Sequence, residues 1–331
     1  MKIWHGDLRS LRFSGPTFLT IGNFDGVHLG HQALVRVLQE EAAAYTPAAR
    51  IALLTFDPHP LAVLQPHLPL RLLTSPQERL RLLEPLGLDL GVIQPFDIDF
   101  ASLTPHQFMA VLVEHLELAR LVTGPDFALG RGRSGNIDVL RALGSELGYD
   151  VSVIEPYAGD GGEIRSHQIR QCLLSGAVTD ARQMLGRPYS IAGTVEEGAR
   201  RGRIIGVPTA NLRPDSQRLI PADGVYATWA FLPHSCTDQP RASVTNVGVR
   251  PTVDGRQRRI ETHLLDFPVA GESGDLYGQK MTVSFVARLR DEQRFDGLDA
   301  LVAQIRRDIS IARSLLREES SIPNGNQKFR A

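Results

Sequence analysis

The hydrophobic pattern of this chain changes once, near Gly186–Pro188, and that change limits the folds that the chain can adopt. Before this point, short apolar runs alternate with segments of helical periodicity, and after it apolar and polar residues alternate with period two. A length of 331 residues also suits two domains better than one. We therefore predict two domains with different folds, residues 1–185 and residues 186–331.

The first half alternates predicted strands with predicted helices. A single helix between successive strands implies right-handed crossovers, and these build a parallel, doubly wound α/β sheet. One helix start is marked by Ser75, Pro76 and Glu78, which have the spacing of a capping box. The predicted strands are residues 18–21, 51–56, 90–94, 120–124 and 151–154, and the predicted helices are residues 34–44, 104–117, 134–148 and 177–185.

The second half contains strand-like runs with no helical segment between them. Several short strands separated by turn-rich pieces predict a small closed β-barrel. A helix over residues 299–317 is expected to cover this barrel, and the polar tail from residue 320 is expected to fray. The predicted strands are residues 189–195, 225–232, 242–247, 260–265 and 281–288.

Composition argues against several functional classes. A net charge of -1 disfavours a protein that works on nucleic-acid backbone. The two cysteines, Cys172 and Cys236, form no CxxC pair, which favours a reducing compartment and disfavours a disulfide framework or zinc ribbon. No apolar run approaches the roughly 20 residues that span a bilayer, and the first ten residues lack the apolar segment of a signal peptide. We expect a cytoplasmic protein without membrane or nucleic-acid partners.

The stretch GNFDGVHLGH, which ends at His31, is the most specific feature of the first half. It follows a predicted strand and leads into a predicted helix, where ligands bind in doubly wound folds. Its glycines let the backbone approach phosphate oxygens, and free amides at the helix start favour an anion. His28 and His31 are three residues apart and share one side of the first turn, where imidazolium groups stabilise charge on a phosphate. The alternatives are a tight turn with two solvated histidines, or a zinc site, which lacks a third ligand at helical spacing.

This stretch resembles the nucleotidylyltransferase superfamily through its HxGH pattern. Together with TFDPHP (residues 55–60) and GPDFALGRGRSG (residues 124–135), it is similar to bacterial bifunctional riboflavin kinase/FMN adenylyltransferases, also called FAD synthetases. The resemblance covers nearly the whole chain and implies that the first domain transfers AMP from ATP to FMN. Arg131 stands where the family more often has lysine. By this likeness His28 and His31 are catalytic, and Gly22, Phe24, Gly30, His59, Asp126, Gly130, Arg131 and Ser134 bind ATP.

The last motif of the first domain departs from the family pattern, which is rich in serine and threonine and ends in Ile-Arg. Residues 164–170 have the sequence IRSHQIR, in which Ser166 and Arg170 match and are also expected to bind ATP. Arg165 and His167 replace the usual serine and threonine. The larger side chains crowd the site, while Arg165 and Arg170 can supply charge for the departing pyrophosphate. The domain is therefore expected to be a slower adenylyltransferase, with an impaired domain beside a working kinase as the alternative.

Motifs of the second half occur in the order found in riboflavin kinases. The resemblance implies a six-stranded antiparallel barrel with a C-terminal helix that phosphorylates riboflavin to FMN, using ATP and Mg²⁺. The motifs are GTVEEG (193–198), GVPTANL (206–212), IPADGVYA (220–227), NVGVRPT (246–252), ETHLLDF (261–267), LYG (276–278) and LRDE (289–292).

The residue types in these motifs suit phosphoryl transfer, which needs charge neutralisation, alignment and a base. Thr209 and Asn211 offer hard oxygen ligands for Mg²⁺ on a loop that Pro208 stiffens. Glu261, at the start of a predicted strand, is the expected general base for the ribityl hydroxyl. The alternatives are a plain turn and a solvated strand residue. ATP binding in this half is expected at Gly193, Arg203 and Gly206.

A function from another class remains possible on the sequence: a flavin- or nucleotide-binding regulator without turnover. Its clustered arginines, Arg200, Arg201 and Arg203 and then Arg256, Arg258 and Arg259, would face RNA. The nearly neutral net charge and the lack of aromatic residues among those arginines argue against it. Elsewhere in this half, Arg290 is expected to support structure, and Arg306 and Asp308 are expected on the surface.

Overall fold

The computed structural model describes residues 1–159, 162–198, 202, 205–232, 239–252, 255–268 and 274–321. The chain divides into two compact units, Met1–Ser166 and His167–Ala331. The domain boundary expected after Leu185 stays a prediction, since compactness alone does not decide with which half the intervening helices fold. No helix in the described part of the chain is long and apolar enough to cross a membrane.

The first unit is built on a six-stranded sheet. Its strands are β1 (Lys2–His5), β2 (Thr17–Ile21), β3 (Arg50–Asp57), β4 (Leu90–Pro95), β5 (Leu118–Thr123) and β6 (Asp150–Val153). The order is β1-β4-β3-β2-β5-β6 and every neighbouring pair is parallel, which confirms the doubly wound sheet. Strand β1 was not predicted from the sequence, because it is a four-residue edge strand that lacks a continuous buried face.

Helices cover both faces of this sheet. They are α1 (Leu29–Ala43), α2 (Pro60–Leu64), α3 (Pro76–Leu83), α4 (Ile98–Ala101), α5 (Pro105–Leu116) and α6 (Ile137–Leu147), and a short hairpin, β7 (Ala158–Gly159) and β8 (Gly162–Glu163), follows. The capping box at the start of α3 is confirmed: the Glu78 amide donates to Ser75 Oγ, and the Ser75 amide donates to the Glu78 carboxylate. Helix α6 begins later than predicted because Asn136 caps it and residues 131–133 form a separate 3-10 turn.

Alternation along β2 builds a core on each face of the sheet. Phe18 packs among residues of α1 and α3, while Leu19 packs among residues of α5 on the other face. Because successive strand residues point to opposite faces, a central parallel strand must be apolar at nearly every position. All five residues of β2 are buried accordingly.

The second unit is a closed antiparallel barrel of six strands, as the resemblance implied. After α7 (Ser166–Ser175) and α8 (Val178–Leu185) come β9 (Tyr189–Glu196), β10 (Ala210–Pro214), β11 (Gly224–Phe231), β12 (Arg241–Thr252), β13 (Gly255–Leu264), β14 (Lys280–Arg290) and α9 (Leu298–Ser321). The strands close in the order β10-β13-β12-β11-β14-β9. Strand β10 was not predicted from the sequence, because its five residues mix polar and apolar types and end in Pro214.

Hydroxyl groups fill part of the barrel interior. Thr228 Oγ1 lies 2.7 Å from Ser243 Oγ and 2.8 Å from Thr245 Oγ1, and Thr245 Oγ1 lies 3.0 Å from Thr262 Oγ1. All four side chains are fully buried, so each hydroxyl satisfies another that would otherwise be costly to bury.

Helix α9 packs on the outside of β11, β12 and β14, as predicted, through Ala312 and Leu316. The prediction that Asp308 lies on the surface is wrong, whereas Arg306 is exposed as expected. Asp308 is only 3% exposed because the Arg290 guanidinium donates to both carboxylate oxygens, at 2.8–3.1 Å. Arg290 thus attaches the end of β14 to the covering helix, in line with its expected structural role.

Replacing Asp308 by alanine should destabilise the barrel unit by about 3 kcal/mol, because the partly buried Arg290 guanidinium would lose its counter-charge. The urea-unfolding transition of this unit measures the change. Arg306→Ala on the same helix is the matched control and should stay within about 0.5 kcal/mol of the parent. Equal stability of the two variants would contradict the role given to the pair.

Two candidate active sites

The motifs of the first unit meet at the carboxyl edge of its sheet. Strand β2 lies between β3 and β5, and the strand order changes direction at β2 because β5 adds on its other side. A crevice opens at such a switch point, and doubly wound folds bind ligands there. GNFDGVHLGH follows β2, TFDPHP ends β3, and GPDFALGRGRSG follows β5, so the topology brings the three motifs to one edge.

The turn between β2 and α1 has an unusual backbone. Phe24, Gly26 and Val27 have φ values of 48°, 87° and 45°. Glycine adopts such angles freely, but a β-branched valine does so only when its surroundings hold it there. Gln32 holds it from α1, since its Nε2 donates to the Val27 carbonyl at 3.0 Å.

Two histidines frame the start of α1. His28 is the N-cap residue and its Nδ1 accepts a long bond of 3.4 Å from the His31 amide. The two imidazole rings stack with centroids 3.6 Å apart. His28 is 6% exposed, so the alternative of two solvated histidines is wrong. Gly30 suits this closeness, because a Cβ there would lie 3.1 Å from His28 Nδ1, a tight contact.

The structure disfavours the imidazolium predicted at His31. Burial lowers the pKa of His31 well below 6.5, and the neighbouring charges of His28 and Arg79 lower it further. His31 is therefore neutral at pH 7. Its Nδ1 is shielded from solvent and has no hydrogen-bond partner among the described residues. The ring of Phe24, a predicted ATP-binding residue, lies 5.1 Å from the His31 ring.

The remaining predicted residues of this site occupy the neighbouring strand ends. His59 is buried just after β3 and caps α2, with its Nδ1 accepting from the Leu61 amide at 3.2 Å. Gly130 has a φ of 74°, and a Cβ there would lie 2.8 Å from Pro105. Arg131 and Ser134 are exposed in the loop after β5, and Ser134 Oγ donates to the Arg131 carbonyl. Gly22 directly follows β2, and a Cβ on it would lie 3.1 Å from the ring of Phe24.

The atypical last motif reaches the turn through its serine. Ser166 Oγ donates to the Asp25 carbonyl at 2.8 Å. The guanidinium of Arg165 is paired with two carboxylates, because its Nη2 lies 2.7 Å from both Asp126 Oδ2 and Glu163 Oε2. These two carboxylates compensate the charge that was expected for pyrophosphate. Arg170 lies one helical turn beyond Ser166 on α7 and shares its face.

Sequence reasoning missed Asp25, although it lies inside the most specific motif. Its buried carboxylate accepts from the amides of Leu73 and Thr74 at 2.9–3.1 Å and from Thr74 Oγ1 at 3.1 Å. Thr74 Oγ1 in turn accepts from the Gly26 amide at 2.9 Å. The sequence did contain a signal for this role. A carboxylate would repel the anion that the turn is expected to bind, so Asp25 was better explained as a residue that holds the turn in place.

The second site is a row of polar residues on the outside of the barrel. Asn211 is paired in register with Glu196 on β9 and with Glu261 on β13, and Glu261 is paired with Asn246 on β12. Directly opposed side chains in antiparallel strands have Cβ atoms about 4.5–5.5 Å apart. The row therefore brings predicted residues Asn211 and Glu261 together. We expected Asn211 on a loop and Glu261 at the start of a strand. Both expectations are wrong, because both residues lie within regular strands.

The segment before β10 lies close to this row. A Cβ on Gly198 would lie 2.2 Å from Asn211 Nδ2, so the chain passes directly over Asn211. The His263 Nδ1 lies 2.7 Å from the Pro208 carbonyl, which fixes the residue before Thr209 to β13. Asn211 Oδ1 is shielded from solvent and has no hydrogen-bond partner within the described part of the chain.

Other predicted residues of the second site have local structural explanations. A Cβ on Gly193 would lie 2.4 Å from the Arg213 carbonyl oxygen, so the pairing of β9 with β10 requires glycine there. Gly206 has a φ of 75° in an exposed turn. Arg203 lies outside the described residues. Sequence reasoning missed Asn246, whose Nδ2 donates to Glu292 Oε1 of the LRDE motif at 3.2 Å.

Neither site has the ligand set of a protein-only metal centre. In the described ranges, no group of three histidine, cysteine, aspartate or glutamate residues is arranged to hold a metal ion.

An NMR titration of the His31 imidazole should show no protonation between pH 8 and pH 6.5, because its pKa is lowered well below 6.5. The unfolded chain protonates this residue near pH 6.5, so it contributes stability that is present above that pH and is lost as the pH falls below it. A midpoint at the ordinary value for a free histidine would contradict the burial described for this ring.

Comparisons with known proteins match each half of the chain to a known family. The FAD synthetase family model matches residues 12–168, and the riboflavin kinase family model matches residues 185–316. The bifunctional riboflavin kinase/FMN adenylyltransferase of Escherichia coli strain K12 is 40% identical over 89% of this chain and 91% of its own. The corresponding protein of Listeria monocytogenes is 32% identical over 88% of this chain and 89% of its own.

A crystal structure from Streptococcus pneumoniae also matches, with a TM-score of 0.83, 32% identity and coverage of 93% of this chain and 97% of that chain. It is described as a macrolide-efflux protein, a name that neither family model supports for the present chain. With two family models that match separate halves and curated relatives up to 40% identical over most of both lengths, this chain belongs to the bifunctional riboflavin kinase/FMN adenylyltransferase family.

Proposed function

We propose that this chain phosphorylates riboflavin to FMN in its barrel unit and adenylylates FMN to FAD in its parallel-sheet unit, with ATP as the donor in both reactions. The observation that carries the proposal is that each unit gathers its own set of motif residues: the histidine turn at the sheet edge, and the row of Asn211 and Glu261 on the barrel. Family membership supports both activities.

In the kinase reaction, Glu261 is the proposed general base. The ribityl hydroxyl oxygen of riboflavin attacks the γ-phosphorus of ATP, its proton passes to the Glu261 carboxylate, and ADP leaves. Glu261 is half-buried within a regular strand, so its position is fixed by the ladder on both sides. A base held in this way contributes through proton transfer and through alignment of the attacking oxygen.

Thr209 and Asn211 fit a role in holding Mg²⁺. Asn211 presents a buried carbonyl oxygen that no described donor satisfies, and Thr209 supplies a hydroxyl oxygen two residues earlier. Oxygen donors of this kind, together with substrate phosphates, are what Mg²⁺ prefers. When bound, the ion neutralises charge on the ATP phosphates. Thr209 and Asn211 would place their side-chain oxygens toward the γ-phosphate.

In the adenylyltransferase reaction, a phosphate oxygen of FMN attacks the α-phosphorus of ATP and pyrophosphate leaves, with no covalent enzyme intermediate. The free amides at the start of α1 and the positive end of its dipole favour the phosphates. The neutral His31 is suited to donate one hydrogen bond to a phosphate oxygen, and His28 lies stacked beside it. Stabilisation of the departing pyrophosphate is the main requirement.

Two alternatives are weaker on specific contacts. An adenylyltransferase impaired by Arg165 and His167 is disfavoured because both side chains are exposed and the Arg165 guanidinium is paired with Asp126 and Glu163. A regulator whose arginines face RNA is disfavoured because Arg258 is engaged internally, with Asp223 and the Ile220 carbonyl. Arg200, Arg201 and Arg203 lie outside the described residues, as does the side chain of Arg256.

Single substitutions should silence one reaction at a time. Glu261→Gln should lower FMN formation from riboflavin about 10²–10⁴-fold, because the base is lost while the shape is kept. His31→Ala should lower FAD formation from supplied FMN by about 10²-fold or more, because a phosphate contact is lost. Chromatographic separation of the flavins measures both reactions, and each variant is the control for the other. Undiminished FAD formation in His31→Ala, or near-normal FMN formation in Glu261→Gln, would refute the corresponding role.

Thr209→Ala and Asn211→Ala should each raise the Mg²⁺ concentration that half-saturates FMN formation, because one oxygen ligand is removed. A Mg²⁺ titration of the initial rate measures the shift. FAD formation from supplied FMN is the control and should be unchanged. A residue whose substitution leaves the titration unaltered is not a ligand.

A further inference from the structure

A buried arginine lies beneath the histidine turn, and none of the roles above uses it. Arg79, on α3, is 1% exposed and is the largest of the almost fully buried side chains in the described structure. Asp25, whose carboxylate lies 3.7 Å from the Arg79 guanidinium, is 2% exposed. A charged pair in a protein interior is costly, and apolar side chains of similar volume are often at least as stabilising. The position therefore calls for an explanation beyond packing.

Contacts of Arg79 connect three of the segments that form the site. Its Nη2 lies 3.7 Å from Asp25 Oδ1 in the turn between β2 and α1. Its Nε donates to Thr74 Oγ1 and its Nη2 to the Thr74 carbonyl, each at 3.3 Å, just before α3. Its Nη1 lies 3.4 Å from Thr55 Oγ1 at the end of β3. One guanidinium thus touches the turn, the start of α3 and β3, the strand that leads to His59.

The charge of Arg79 acts on the turn, because it is one of the causes that lower the pKa of His31. The separation of 3.7 Å from Asp25 is longer than a charge-assisted hydrogen bond. The Asp25 carboxylate also accepts from the Leu73 and Thr74 amides and from the Thr74 hydroxyl, so three further donors share its negative charge. A positive charge in a water-poor interior acts over a longer range than the same charge at the surface.

We propose, on the basis of the adenylyl transfer proposed above, that Arg79 is a positioning residue of that site. It holds the turn through Asp25 and Thr74, and it places a fixed positive charge beneath the bound phosphates. Arg79 contacts no reacting atom. Its effect is transmitted by the backbone of residues 25–27 and by the electrostatic field at the imidazole of His31.

The titration of His31 reports this field. Three causes lower its pKa, in the order burial, the charge of the stacked His28, and the charge of Arg79. The uncharged ring of Phe24 also packs against it. Removing the positive charge of Arg79 should therefore move the pKa of His31 upward, toward its ordinary value. A lysine at position 79 keeps the charge and should leave the pKa low.

The test compares Arg79→Met with Arg79→Lys in the full chain. NMR titration of the His31 imidazole should show an upward shift in Arg79→Met and none in Arg79→Lys. FAD formation from FMN should fall by about 10²-fold in Arg79→Met, as expected when a reacting group is misplaced by about 1 Å, and should be partly recovered in Arg79→Lys. The acid limb of its pH profile should move to higher pH in Arg79→Met alone.

Arg81→Met is the matched control, since Arg81 lies on the same helix but is exposed. It removes an equal charge and should change neither the His31 titration nor FAD formation. If Arg79→Met does not fold, Arg79→Lys decides: the proposal is overturned if the lysine variant folds but its His31 titrates at the ordinary value, or if it forms no FAD.

The proposal is likewise overturned if Arg79→Met loses FAD formation while its His31 titrates as in the parent and Arg79→Lys fails equally. That pattern would mean that Arg79 only holds the fold. Absence of FAD formation in the parent would refute the proposed function instead, and the His31 titration would still test the effect of Arg79 on the turn.

Discussion

The first site depends on the buried carboxylate of Asp25. A turn that holds Phe24 and Val27 at positive φ cannot maintain itself, because the strain must be offset by its surroundings. Asp25 supplies that support: its carboxylate receives donors from the segment before α3, and its carbonyl receives the Ser166 hydroxyl from the start of α7. Segments 48 and 141 residues away in sequence are thereby fixed to one turn.

In the barrel, the register of the strands determines which side chains form the site. Because side chains alternate between the two faces, the same ladder that buries Thr262 and Leu212 inside places Glu261 and Asn211 outside. A slip of one residue would exchange these sets, burying the carboxylate and exposing the core. The fully buried hydroxyl cluster of Thr228, Ser243, Thr245 and Thr262 disfavours such a slip, since each hydroxyl would lose its partners.

Charge is managed differently in the two halves. In the first unit Arg79 is buried against the turn, burial keeps His31 neutral at pH 7, and the atypical Arg165 is compensated by Asp126 and Glu163. The turn itself therefore offers phosphates its amide groups and the charge of the buried Arg79, while the exposed Arg131 lies in the loop after β5. In the barrel, Asn211 presents beside Glu261 an oxygen that no donor among the described residues satisfies, an arrangement suited to a cation and to proton transfer.

The sequence by itself determined the two-domain plan, the doubly wound sheet, the barrel, the capping box at Ser75 and the motifs of both sites, because periodicity and motif order are local properties. Short elements such as β1 and β10 could not be predicted from the sequence, since four or five residues of mixed polarity carry little periodic signal. Only the tertiary structure decided that Asp308 is buried, that His31 is neutral and that Arg79 lies beneath the turn. Burial of a charged or titratable group depends on a partner supplied by a distant segment, such as Arg290 for Asp308, and no local pattern encodes that partner.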